Sequence, residues 1–251
     1  MAASTTLSPD DYLASLRSDA ARMLELAPDY LTAPVPACPG WTVGDALVHT
    51  GAVYSHKVAC MRMPDGPQSE ADWDHGPAEE QEVGQWFQER LDELMTELSS
   101  RGPDAESYTW HDDHRTVAFW YRRMAQETAV HRVDVESGFD AVTPVDHELA
   151  VDGIDEVLDW FLAYQNEDVG PDGPGRGTVA VRTGDHMWRT TLTADEAQLS
   201  REPGPADAVV SGEPSELLLW LWGRRPDTAV TLEGDKDLLR GFRERLRVVT
   251  Q

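Results

Sequence analysis

At 251 residues the chain is long enough for one large domain or two modest ones, each with its own hydrophobic core. Its 21 basic against 46 acidic residues leave a formal net charge of −25, which disfavours nucleic acid and anionic membrane surfaces as partners. A hydrophobic content of 40% with nine tryptophans excludes a disordered chain, and two cysteines exclude a disulfide framework, so a reducing cytoplasm is the expected setting. The first residues lack a basic and an apolar region of the secretory kind, and no apolar run has membrane-spanning length.

Ser8 before Pro9 reads as an N-cap with proline at the first helical position, and Leu13, Leu16, Ala20, Met23 and Ala27 follow at helical spacing. Pro28 is the first expected stop, and Pro34 and Pro36 enforce one. Thr42 and Asp45 form a capping box, with Asp where Glu or Gln is usual, for a second helix reaching Met61. A third helix is expected from Pro77 or Ala78, burying Val83, Phe87, Leu91, Leu94 and Leu98, with Trp86 and Met95 widening the stripe. A fourth is expected over 113–136. A further one over 146–165 turns Ile154, Val157, Leu158, Phe161 and Leu162 inward.

These helices predict a helical bundle over residues 1–168, ended by the Gly- and Pro-rich stretch around Gly170 to Gly175. The period then changes. Strands are expected over 178–182 and 187–192, joined at Gly184-Asp185, and over 208–210 and 229–232. Ser215 reads as the cap of a helix carrying Leu218, Leu219 and Trp222, and a last helix starts near Lys236. The expected fold class is α+β: a four-helix bundle with an additional helix, then a small mixed α/β domain over 176–251.

Glu127 and His131 lie four apart on the face that bears Trp120 and Met124. A carboxylate turned inward is costly unless paired or metal-bound. The pair reads either as a hydrogen-bonded couple or as two ligands of a divalent metal. His49 and His56, seven apart on the second helix, each offer a third ligand. A His₂Glu set with one open position is the arrangement of a catalytic zinc site. Asp134, near the same face, reads as an orienting partner, a ligand, or a helix-end charge in solvent. Arg132 should point away, toward a surface salt bridge. Arg224 and Arg225 either complement the end of the small domain's apolar helix or grip a substrate carboxylate. Cys38 and Cys60 have no visible base or CxxC partner, and no nucleotide-loop or nucleophile-elbow motif occurs.

The stretch Val35-Pro36-Ala37-Cys38-Pro39-Gly40-Trp41-Thr42-Val43-Gly44-Asp45-Ala46-Leu47-Val48-His49 carries a resemblance. So do Trp120, the run Glu127-Thr128-Ala129-Val130-His131-Arg132-Val133-Asp134, and Leu219-Trp220-Leu221-Trp222-Gly223-Arg224. Together they resemble the actinobacterial mycothiol-dependent maleylpyruvate isomerase family, whose first domain is a DinB-like metal-binding bundle. The resemblance implies His49, Glu127 and His131 as the three metal ligands, with zinc the usual ion, and so prefers His49 to His56. It implies Arg224 as a residue tied to activity and substrate handling. It further implies mycothiol as thiol cosubstrate and a small electrophile as the other partner. The expected activity is that of a metal-dependent isomerase or S-transferase. Metal-assisted hydrolysis and a non-catalytic metal- or ligand-binding role are the alternatives.

Overall fold

The computed structural model describes residues 7–139, 141–170 and 172–250. The chain forms two compact units that part between Thr143 and Pro144.

In the first unit, α1 (Pro9–Tyr30) begins where Ser8 Oγ accepts from the Asp11 amide at 3.2 Å and Asp11 Oδ2 accepts from the Ser8 amide at 3.0 Å. It runs past Pro28, because a proline in the last turn removes only one backbone bond. The box at the start of α2 (Val43–Arg62) is complete despite its short acid: Asp45 Oδ2 accepts from the Thr42 amide at 2.8 Å. Helix α3 (Val83–Arg101) starts later than Pro77, after a single turn at Glu80–Glu82 that has no apolar side to bury. The expected stripe from Val83 to Leu98 is buried. Helix α4 (Val117–Ser137) also starts later than expected. The chain before it folds back on itself, with the Val117 amide on Ala105 O at 2.9 Å and the Ser107 amide on Arg115 O at 3.1 Å.

Helix α4 packs against both α1 and α2 and is buried along most of its length, many polar residues included. That corrects the expectation for Arg132. Its side chain is 3% exposed and lies inside, with Nη1 2.7 Å from Glu136 Oε2 and Nε 3.2 Å from Asp19 Oδ1. Arg22 of α1 reaches the other oxygen of Glu136 at 3.0 Å, so α1 and α4 are joined by a buried ion network. Against α3, α2 comes close at Gly51. A Cβ there would lie 2.3 Å from Trp86 Cζ3, and the indole is fixed by its Nε1 bond to Asp74 Oδ2 at 2.7 Å. Gly51→Ala should therefore cost about 1–3 kcal/mol through overpacking. Thermal denaturation showing no loss would mean that the two helices separate freely.

The second unit takes the helix that the sequence assigned to the bundle. Helix α5 (His147–Glu156), continued by a wider π-helical coil over Val157–Ala163, packs on α6 (Pro214–Leu221). Its Asp155 accepts from Trp188 Nε1 at 2.9 Å and pairs with Arg201 at 2.6 Å, which ties it to the strands. Phe161, expected inward, is only half-buried, with its ring 5.0 Å from that of Trp222. The sheet runs β3-β2-β1-β4-β5, built from β1 (Gly177–Thr183), β2 (His186–Leu192), β3 (Ala197–Ser200), β4 (Ala208–Ser211) and β5 (Thr231–Gly234). Strands β1 and β4 are parallel and the other pairs antiparallel. Ser215 does not cap α6, whose N-cap is Glu213. Its Oγ instead accepts from the Val145 amide at 2.9 Å. Helix α7 (Lys236–Val249) starts at the expected residue. Among the described residues no helix is long and apolar enough to cross a membrane.

Candidate metal centre

Helix α2 supplies one candidate donor and α4 two. The two helices pack together, and Tyr54 Oη meets Thr128 Oγ1 at 2.6 Å in the seam. One turn of α2 before Tyr54, His49 places its Nε2 3.5 Å from Glu127 Oε1. His131, four residues past Glu127 on α4, places its own Nε2 3.2 Å from the same oxygen. All three donor atoms lie within 4.8 Å of one another.

The far side of each α4 donor is held. Arg123 Nη2 donates to Glu127 Oε2 at 2.8 Å, which leaves Oε1 facing the histidines. His131 Nδ1 lies 3.0 Å from Asp134 Oδ2, and the Cys38 thiol donates to that same oxygen at 3.6 Å. The contact at Nδ1 lacks hydrogen-bond geometry, but the charge of a carboxylate so near Nδ1 favours the proton there and leaves the Nε2 lone pair for a ligand. Asp134 is fully buried, so the helix-end reading in solvent does not hold. Trp41 forms a wall, its ring 5.0 Å from that of His49 and nearly parallel to His131 at 6.2 Å. The His49 side chain remains 40% exposed, so the cluster is reachable.

The electrostatics follow from this crowding. Burial would raise the Glu127 carboxyl, but bonds to His131 and His49 and the charge of Arg123 outweigh it and hold its pKa well below the carboxylate range. Burial would depress His131, but Asp134 and Glu127 outweigh it and raise the imidazole to about 9. Asp134→Asn keeps the shape and removes that charge. The change should weaken the affinity for an added divalent ion roughly 10–100-fold with the fold intact. Competition against a chromophoric chelator reads it, and unchanged affinity would remove Asp134 from the site.

His56 lies outside the cluster. It accepts from Lys57 Nζ at 2.8 Å, packs on Trp73 with ring centroids 4.5 Å apart, and is pushed by burial to about 4. Arg224, in the second unit, follows Gly223 at the end of α6 and donates to Trp222 O at 2.9 Å, while Arg225 pairs with Glu216 at 2.9 Å. Two residues of the centre were missed in the sequence. Arg123 carries a legible signal, its four-residue spacing to Glu127. Trp41 carries none beyond its place in the turn before α2.

Two family models match the chain: "Mycothiol maleylpyruvate isomerase N-terminal domain" over residues 12–136 and "MDMPI C-terminal domain" over residues 148–241. A solved structure of the mycothiol-dependent maleylpyruvate isomerase aligns with a TM-score of 0.63 at 14% identity, covering 92% of this chain and 96% of that one. A histidine-to-alanine mutant of that isomerase aligns at 0.61 and 15%, with the same coverage of 92% and 96%. At such identity the likeness to the solved structures is one of fold. No curated protein sequence matches. The gap between the two family models brackets the break at Thr143, and together they span most of both units. The chain belongs to the mycothiol-dependent maleylpyruvate isomerase family.

Proposed function

We propose that this protein is a metal-dependent, mycothiol-using isomerase or S-transferase acting on a small electrophile. The observation that carries the reading is the convergence of His49, Glu127 and His131, each with one donor atom turned to a common point. The donor set fits a divalent ion. Nitrogen and oxygen ligands at about 2.0–2.2 Å in a tetrahedron stand about 3.3 Å from one another. The contacts of 3.2 and 3.5 Å agree with that spacing. Two imidazoles and a carboxylate suit zinc, and three ligands leave a position open. An ion held there would supply Lewis acidity that favours the thiolate of a bound thiol at neutral pH.

The chain's own residues do the rest. Glu127 brings the compensating negative charge, and Arg123 fixes which oxygen it presents. Asp134 holds the His131 proton on Nδ1, while Trp41 shields one side from water. In the isomerase reading, the mycothiol thiolate adds to a cis double bond conjugated to a carbonyl, forming a C–S bond as the π electrons move onto the carbonyl. The former double bond then rotates, and loss of the thiolate restores it in the trans form. In the transferase reading the C–S bond is kept and the enolate takes up a proton, the one the thiol gave up, to complete the addition. Arg224 is proposed as the group that handles a substrate carboxylate. Two free cysteines agree with a reducing cytoplasm.

Zinc-loaded protein incubated with mycothiol and a panel of electrophiles tests the reading. Thiol-dependent turnover or a thioether adduct is expected with at least one of them. Zinc binding without measurable mycothiol affinity would overturn it, leaving metal-assisted hydrolysis or a binding role.

A further inference from the structure

The second unit contains a local reversal of charge. In a chain of net charge −25, helix α7 carries Lys236, Arg240, Arg243 and Arg247 at helical spacing, so all four share one face. Arg245 is turned the other way and bonds to the carbonyls of Pro174 at 2.8 Å and Gly173 at 3.1 Å. The four line a cavity of about 430 Å³, floored by the buried Trp220 and Leu239. That is a size in the range of small-molecule sites.

Charge pairing does not account for this face. Among the described residues no carboxylate forms an ion pair with Lys236, Arg243 or Arg247. Arg240 has only an exposed partner, Asp237, at 2.8 Å. Such a pair contributes little. Asp227 and Glu244 also line the cavity, and Asp227 already accepts from Trp220 Nε1 at 2.9 Å. Lys236 is the first residue of the helix, where the dipole disfavours a cation. Helix stability therefore does not explain its placement.

Arg243 is the fixed element. Its guanidinium stacks 4.3 Å from the Trp220 ring centroid and donates to the carbonyls of Trp220 and Arg225. Those two bonds leave further donors of the fork unused. Burial pushes its pKa below the ordinary guanidinium value, with Arg247 adding to that and Asp227 opposing it. A half-buried cation with no carboxylate at ion-pair distance is costly, and an anion in the cavity reduces that cost.

We infer that this cavity is a binding site for a small organic anion with at least two negative charges beside an apolar body, of the phosphate-ester or polycarboxylate kind. The inference goes beyond the proposed reaction and does not depend on it. It uses no residue of the metal centre.

Isothermal titration of the full chain tests it, with 1-naphthyl phosphate and phthalate as dianions and 1-naphthol and inorganic phosphate as controls. At least one dianion should bind saturably, about tenfold or more tighter than either control, and binding should weaken with salt. The tighter dianion identifies the preferred head group. The double variant Arg240→Ala/Arg247→Ala removes two exposed charges, so its melting temperature and zinc content should stay unchanged while dianion affinity falls about tenfold or more. Absence of saturable binding at millimolar concentration would overturn the inference. So would binding that the double variant leaves intact, since the anion would then sit elsewhere.

Discussion

Glu127→Gln should leave the protein without metal. Protein purified without an affinity tag and analysed for elements should carry near-stoichiometric zinc as wild type, and the variant should carry almost none. The loss should exceed the roughly 10–100-fold that changes to outer partners of a metal site cost. The amide matches the carboxylate in shape but supplies neither the charge facing the two histidines nor the charge facing Arg123. His56→Ala is the control and should retain zinc, since that ring packs on Trp73 instead. Metal retained by Glu127→Gln would refute the three-ligand centre outright. The pH dependence has a definite sign. In the metal-free chain His131 is raised from 6.5 to about 9, so its charged form contributes stability that is fully present below 6.5 and lost as the pH rises through 9. An ion must displace that proton. Apparent zinc affinity should therefore fall by up to about tenfold per pH unit below 9, from this group alone. The rise in melting temperature on adding zinc should grow from pH 6.5 to pH 9. A shift independent of pH over that window would mean that His131 is not a ligand.

How much of this centre was legible in the sequence depends on the range of the forces involved. The four-residue step from Glu127 to His131 is local, so the platform was visible. Spacing did not choose between His49 and His56, because a seven-residue step repeats the same face of α2; only the family resemblance preferred His49. What decides it is the register of α2 against α4. Tyr54 meets Thr128, and Lys57 lies over the ring of Trp120, so the helices run antiparallel and bring His49 level with Glu127. Capped starts such as Ser8 and Thr42 were legible because a cap is made by residues three apart. Arg132 was misjudged for the opposite reason: its partners include Asp19, on another helix. Strand β3, with the sequence Ala-Gln-Leu-Ser, has no β-branched residue to announce it and exists through pairing with β2. The helix at 147–163 follows the bundle in sequence, but its partners, helix α6 and Arg201, come far later in the chain.

The ion network that joins α1 to α4 sets the second large effect. Glu136 is fully buried and accepts from Arg132 Nη1 at 2.7 Å, Arg22 Nε at 3.0 Å and the Thr143 amide at 2.8 Å. Burial alone would raise its carboxyl, but the Thr143 amide, Arg132 and Arg22 outweigh it and hold the pKa below the usual carboxylate value. Glu136→Ala leaves the guanidinium of Arg132 buried without its Glu136 partner, with Asp19 still at 3.2 Å. Breaking a buried pair from one side costs about 3–5 kcal/mol. A fall of about 10 °C or more in melting temperature should follow. The double variant Arg132→Met/Glu136→Leu removes both charges and fills their volume, so it should recover a large part of the loss. A depressed carboxyl contributes stability that is present above its unfolded pKa and lost as the pH falls through the folded one. The wild type should accordingly lose stability more steeply in acid than Glu136→Ala does. A double variant as unstable as the single one would show that Asp19, Arg22 and the loop at Thr143 depend on the Glu136 charge itself, and not on removal of the buried Arg132 charge.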